Sequence, residues 1–179
     1  MMTGEILELF DEHMAQKGLR LDAVVIGGTA LNLLGIVSRY TKDCDILYPQ
    51  ISKEVAEAAR TFAAELRNRG EPLQDDWLNN GPASLLDQLR SQWDERLQTV
   101  FVGTAIHLRC LGRGDLLCVK LFALCDRGID FGDCLALAPT AEELKDTGTW
   151  IEQQDAHPDW PKHVRSTLAN LGRRLGHDV

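Results

Sequence analysis

The sequence predicts an α/β fold: a mixed β-sheet flanked by helices, with an α-helical C-terminal portion. Three observations predict it. Apolar residues at 3–4 spacing alternate with short apolar runs up to about residue 70, two more strand-like runs lie between residues 99 and 111, and from Asp115 onward the patterns are helical.

The elements follow in order. Thr3 can cap a helix carrying Ile6, Leu7, Phe10 and Met14 on one stripe, and Gly18 can end it. A strand over Leu21–Ile26 comes next, then a short helix over Thr29–Leu34 that stops near Gly35. The next strand runs from Lys42 to Tyr48, where Pro49 closes it. Ser52 opens an Ala- and Glu-rich helix to Arg69, stopped by Gly70. Residues 71–81 are polar, contain Pro72, Asn79, Asn80 and Gly81, and read mostly as loop. Pro82 suits a first helical turn before Ser84–Leu89. Thr99–Val102 and Thr104–Leu111 are strand-like, with Gly103 as a turn or bulge. Asp115 reads as the N-cap of an apolar helix, Leu116–Leu124. Asp130–Leu137 gives a short helix, Thr140 and Glu143 make a capping box, and Pro161–Leu175 forms the last helix. This order divides the chain into a core over residues 1–138 and a helical extension over 139–179.

The 179 residues suffice for a sizeable core, and 44% hydrophobic with 26% charged residues describes an ordinary globular chain. The chain holds no run of 18 apolar residues and its first residues lack a secretion-signal pattern, so the expectation is a cytoplasmic protein with no membrane partner. The five cysteines, Cys44, Cys110, Cys118, Cys125 and Cys134, sit among apolar residues with no Cys-x-x-Cys pair, which favours buried, reduced thiols. A net charge of −8 argues against nonspecific nucleic-acid binding by the whole surface. Arg165, Arg173 and Arg174 read more readily as a solvated helix face than as a basic strip.

The chemistry concentrates between Val24 and Leu47. The run Val24-Val25-Ile26 breaks at Gly27-Gly28-Thr29, and Thr41-Lys42-Asp43-Cys44-Asp45-Ile46-Leu47 follows. Glycines after a strand let backbone N–H groups approach a phosphate, and a helix starting there adds its positive end. Thr29 reads as the helix N-cap with some phosphate contact. On a strand, Asp43 and Asp45 share one face with Cα atoms roughly 6.5 Å apart, so both carboxylates can reach common metal ions. Thr41 shares that face and can hydrogen-bond a carboxylate. A phosphate cradle beside such a pair suggests nucleotidyl transfer.

Gly27-Gly28 followed by Asp43-Cys44-Asp45-Ile46 resembles the Gly-Gly/Ser … Asp-x-Asp-hydrophobic signature of the DNA polymerase beta-like nucleotidyltransferase superfamily. Arg39-Tyr40-Thr41-Lys42-Asp43 is similar to the family's Arg-x-Thr-x-Asp run. Trp77-Leu78-Asn79-Asn80, the helix Leu116-Leu117-Cys118-Val119-Lys120-Leu121 and the ending Asp130-Phe131-Gly132-Asp133 resemble bacterial nucleotidyltransferase-like proteins related to AbiEii-type toxins. The resemblance spans residues 20–138 and implies a nucleotidyltransferase-like core. It implies Mg2+ or Mn2+ at Asp43 and Asp45, and a nucleoside triphosphate held by Gly27, Gly28, Thr29, Arg39 and Thr41. The acceptor would be a hydroxyl on RNA or protein, and the toxin relatives imply an antitoxin protein as a further partner.

Lys120 is the single charge in an apolar helix, and an unpaired buried ammonium costs several kcal/mol. It must reach the surface or meet an anion. The resemblance puts a lysine here near the acidic site, as a third catalytic candidate beside Asp43 and Asp45. Asp130 and Asp133, at i and i+3, read as capping residues and as partners of Arg127 or Lys120 rather than as metal ligands. The family template has a third carboxylate on a later strand, but Thr104–Leu108 has none, Asp75 and Asp76 lie in a loop, and Asn80 stands where relatives carry Asp. The competing reading is therefore a catalytically degenerate nucleotidyltransferase-fold binding module.

Overall fold

Ile6, Leu7, Phe10 and Met14 recur at helical spacing and form the buried stripe of α1 (Thr3–Gln16). The helix gives way at Gly18, which takes the left-handed conformation at φ +67°. The computed structural model describes residues 3–39 and 41–177. The side chain of Thr3, expected as the cap of α1, lies outside what is described, as does Tyr40. The chain divides into two units, one ending at Leu111 and the other beginning at Gly112. The division thus falls after Leu111 rather than after residue 138, because the apolar helix beginning at Arg113 packs with the helices that follow it.

The first unit carries the sheet. Its strands are β1 (Leu21–Ile26), β2 (Cys44–Tyr48), β3 (Leu78–Asn79), β4 (Gln98–Val102) and β5 (Ile106–Cys110), in the order β3-β2-β1-β5-β4. The sheet is mixed: β1 runs antiparallel to β2 and parallel to β5, β2 is parallel to β3, and β4 is antiparallel to β5. Ala23, Val24, Val25 and Ile26 are all buried, which explains why this central strand reads as a continuous apolar run instead of an alternation. Between β1 and β2 lies α2 (Gly27–Leu33), and after β2 comes α3 (Lys53–Asn68), whose Ser52 cap accepts a hydrogen bond from the Val55 N–H.

Helices α1 and α3 meet through an aromatic cluster in which Phe10 lies 5.2 Å from Phe62 and 5.0 Å, edge-on, from Trp77. Each such buried ring contributes roughly 1.5–3 kcal/mol. Between β3 and β4 the chain makes two 3-10 turns, Gly81–Gln88 and Trp93–Arg96, neither of which buries a residue. Asp11, on α1, is the polar tie of this unit. Its carboxylate accepts hydrogen bonds from the backbone N–H groups of Thr104, Ala105 and Ile106 at 2.7–2.8 Å. A Cβ on Gly103 would collide with that carboxylate, so this glycine is set by close approach.

The second unit is helical: α4 (Arg113–Arg127), α5 (Phe131–Leu137), α6 (Ala141–Glu152) and α7 (Trp160–Arg174). Asp115 does not cap α4. The helix starts two residues earlier with Gly112 as N-cap, and Asp115 lies buried in its first turn. The capping box on α6 forms as the sequence predicts, with Thr140 and Glu143 each bonding the other's backbone. Arg113 ties the unit together by reaching Glu143 and the carbonyl of Leu137. All five cysteines are buried and none is in a disulfide. Among the described residues no helix is long and apolar enough to cross a membrane.

Candidate functional site

The candidate site forms where β1 ends and β2 begins. Ile26 pairs with Asp45 in the antiparallel register, which brings Gly27 against the Asp45 side chain. Gly27 has φ +70°, and a Cβ there would stand 2.9 Å from Asp45 Oδ2. Two independent demands thus exclude a side chain: the left-handed backbone and the carboxylate. Gly28 is constrained differently, since a Cβ there would meet the Thr41 methyl at 2.8 Å and the Arg39 guanidinium at 3.5 Å.

Asp43, Cys44 and Asp45 are exposed, buried and half-buried in turn. Alternation along β2 therefore turns Cys44 into the core and Asp45 to the other side. Asp43 lies one residue before β2, in the loop, where the sequence reading had it inside the strand. Burial and the neighbouring Asp45 charge push the Cys44 thiol far above its ordinary range. It is an inert spacer between two functional candidates.

The N-cap reading of Thr29 is corrected by the structure. α2 begins at Gly27 with Ile26 as its N-cap, so Thr29 already sits inside the first turn, 1% exposed. Its hydroxyl donates to the Asp43 carbonyl at 2.7 Å, which leaves Thr41 to donate in the 3.1 Å contact between the two threonine hydroxyls. Asn32, one turn later, donates to the carbonyls of Val37 and Arg39. Side chains of α2 thereby hold the backbone at Val37, Arg39 and Asp43. The space bounded by Leu7, Thr29, Thr41, Asp43 and Trp77 is about 10 Å³, at most one water. Any larger ligand must lie on the open side, where Gly28, Arg39, Lys42 and Asp43 reach solvent.

Two asparagines, Asn79 on β3 and Asn80 just after it, complete the surroundings, with roles the sequence reading did not assign. Asn79 pairs with Asp45 in the parallel register and donates from Nδ2 to Asp45 Oδ1 at 3.2 Å. Asn80, expected to mark a lost ligand, is a structural latch. Its Nδ2 donates to the carbonyls of Ile46 and Pro49, and its Oδ1 accepts from the Ile51 N–H at 2.8 Å. A two-residue strand in a polar stretch leaves no periodicity to read, so only the pairing reveals which asparagine faces the site.

The structure therefore sets Gly27 against Asp45, Gly28 against Arg39 and Thr41, and Thr29 against Thr41 and the Asp43 carbonyl. Lys120 belongs to the other unit, where its ammonium is held by Asp130 at 3.0 Å and Asp133 at 2.8 Å, the lysine and Asp133 both buried. The anion that this lysine required is supplied by the Asp-x-x-Asp ending. Among the described residues no group of three or more His, Cys, Asp or Glu side chains could hold a metal ion. The two aspartates still fit Mg2+ or Mn2+ in one respect: both are hard oxygen donors, and Mg2+ is commonly bound through one or two carboxylates plus substrate phosphates.

A glycine turn packed on an Asp-x-Asp segment that leads into a strand of a mixed sheet is the arrangement of a nucleotidyltransferase-like domain. The chain belongs to the family described as nucleotidyltransferase of unknown function (DUF6036), which matches residues 5–134. That span takes in all five strands and ends inside α5. No curated protein and no solved structure matches the chain.

Replacing Gly27 by alanine is expected to destabilise the protein by about 1–3 kcal/mol through the left-handed backbone alone. It must also displace Asp45. Urea unfolding checks the first effect. The second predicts that any stabilisation by metal with nucleotide disappears in this variant.

Proposed function

We propose that this chain transfers a nucleotide from a nucleoside triphosphate to a hydroxyl on RNA or protein, in a metal-dependent reaction at Asp43 and Asp45. The observation that carries the reading is the contact between Gly27 and the Asp45 carboxylate, which joins the phosphate-approach element to the metal-ligand element. Gly27 and Gly28 leave room for the triphosphate, and Arg39, lying over Gly28, supplies positive charge to it. Asp43 and Asp45 would hold Mg2+ or Mn2+, which when bound supplies charge neutralisation at the phosphates and a lowered pKa at the attacking hydroxyl. Thr29 and Thr41 act through the backbone of the 41–43 loop, positioning Asp43. The acceptor oxygen then forms its bond to the α-phosphorus as the bond to pyrophosphate breaks. Lys120, held by Asp130 and Asp133, has a structural role in this reading. The toxin-like extension, with an antitoxin partner, is supported by the motif resemblance to AbiEii-type toxins.

A second reading is favoured by one observation. The residue paired with Asp45 on β3 is an amide, Asn79, where a third carboxylate would serve a catalyst. A degenerate module that binds nucleotide without turnover has this composition.

The test has two stages. Thermal unfolding with Mg2+ and each nucleoside triphosphate is expected to show a metal-dependent rise in Tm for at least one nucleotide, worth about 2.7 kcal/mol at a hundredfold excess over Kd. Asp43→Asn with Asp45→Asn should abolish the rise and leave the metal-free protein more stable, because two like charges are removed. Pyrophosphate release with RNA or protein acceptors then separates enzyme from binder. A Tm unmoved by every nucleotide would end both readings.

A further inference from the structure

The side chain of Asn79 makes contacts that fix its orientation from both ends. Its Oδ1 accepts from the Gly81 N–H at 2.7 Å, and a backbone N–H can only donate. Its Nδ2 faces Asp45 Oδ1 at 3.2 Å and the Asp76 carbonyl at 3.4 Å, both of which accept when the aspartate is ionised. Neither end tolerates the flipped amide. On the other side of Asp45, the second carboxylate oxygen occupies the space that a Cβ on Gly27 would enter. The carboxylate thus lies between the Asn79 amide on β3 and the glycine turn.

We propose that Asn79 is a positioning residue of the nucleotide site: its amide, aimed by the Gly81 N–H, holds the Asp45 carboxylate against the Gly27 turn in the orientation that receives metal and triphosphate. The inference rests on the proposed function. It adds a consequence for how the site is loaded. With an amide opposite Asp45, the two aspartates present two negative charges, and among the described residues no larger acidic group adds to them. Divalent metal alone is then held weakly and enters with the triphosphate, whose oxygens complete its ligands.

Asn79 also closes an Asx turn onto Gly81, so the test must keep that turn while removing the contact to Asp45. Asn79→Ser does so, since the hydroxyl still accepts from the Gly81 N–H but is too short to reach Asp45. Asn79→Asp also keeps the turn, and replaces the donor facing Asp45 by a carboxylate. Binding is measured by calorimetric titration of MnCl2 alone, and of MnCl2 with each of ATP, CTP, GTP and UTP; Tm is measured in EDTA. Asn79→Ser is expected to weaken Mn2+–nucleotide binding by about tenfold or more, the usual effect of losing a group that orients a metal ligand, with little change in Tm. Asn79→Asp is expected to lower Tm in EDTA and to tighten binding of free Mn2+ by about tenfold or more.

Wild-type affinity for Mn2+ and nucleotide in Asn79→Ser overturns the inference and leaves the proposed function standing. An Asn79→Asp protein with wild-type Tm in EDTA and wild-type affinity for free Mn2+ also overturns it. A wild-type protein that binds no nucleotide with Mn2+ overturns both.

Discussion

Replacing Lys120 by methionine is expected to destabilise the protein by about 3–5 kcal/mol, the loss typical when one member of a buried ion pair is removed and its partners remain. Here the partners are two carboxylates, Asp130 and Asp133, bonded to the same ammonium. Asp133 is 4% exposed and cannot turn to water without opening the helical unit. Asp130 also holds a left-handed backbone at φ +67°, so its charge is fixed where an ordinary side chain is already strained. The control is the triple variant Lys120→Met, Asp130→Asn, Asp133→Asn, which removes the whole charge cluster and should recover much of the loss. Urea midpoints for the single and triple variants measure both. A single variant as stable as the wild type would mean that the three side chains do not share one buried network.

Replacing Asp11 by alanine is expected to cost about 3 kcal/mol or more. Three backbone N–H groups lose their acceptor at once, and each buried unsatisfied donor costs about 1–3 kcal/mol, offset in part by the desolvation that the charged form no longer suffers. The same contact sets a pH dependence. Burial alone would raise the Asp11 pKa, but the N–H groups of Thr104, Ala105 and Ile106 together bring it below the ordinary carboxylate value. As pH falls, the unfolded chain therefore takes up this proton first. The stabilisation is complete above the unfolded pKa, near 4, and is lost as pH falls through the lower folded value. Glu143, lowered by its hydrogen bond to Arg113, adds to the same acid limb. Asp11→Asn should flatten only its own share. Midpoints measured from pH 2 to pH 6 for wild type and variant isolate it by difference, and parallel curves would refute the assignment.

Much of the fold was legible because its signals are local. The stripe of Ile6, Leu7, Phe10 and Met14, the Ser52 cap and the Thr140–Glu143 box each fix a helix within a few residues of where it forms. Strand β1 was legible from a run of buried apolar residues. β3 was not, because two residues carry no period, and its pairing with β2 is a long-range event. Asp115 reads as a cap because Gly112 and Gly114 make Arg113 look non-helical, whereas burial of the following apolar face extends the helix back through Gly114 to Arg113, with Gly112 as its cap. At the site, the glycines and aspartates were legible as chemistry, and the demand of Lys120 for an anion was legible as electrostatics. The pairing of Asp130 and Asp133 with Lys120 was one of the two options the sequence offered; what it could not assign was direction at the site: that Thr29 faces the Asp43 carbonyl and that Asn79 rather than Asn80 faces Asp45.

The five sequestered thiols have a practical consequence. Burial pushes Cys110 up to about 11 and Cys125 and Cys134 up to about 12, so at neutral pH an alkylating reagent meets no thiolate until the surrounding structure opens. Cys44 and Cys110 lie in the sheet-bearing half, and Cys118, Cys125 and Cys134 in the helical half. The chain thus carries intrinsic reporters of local opening. Site-resolved alkylation rates give the cooperativity between its halves with no engineered probe.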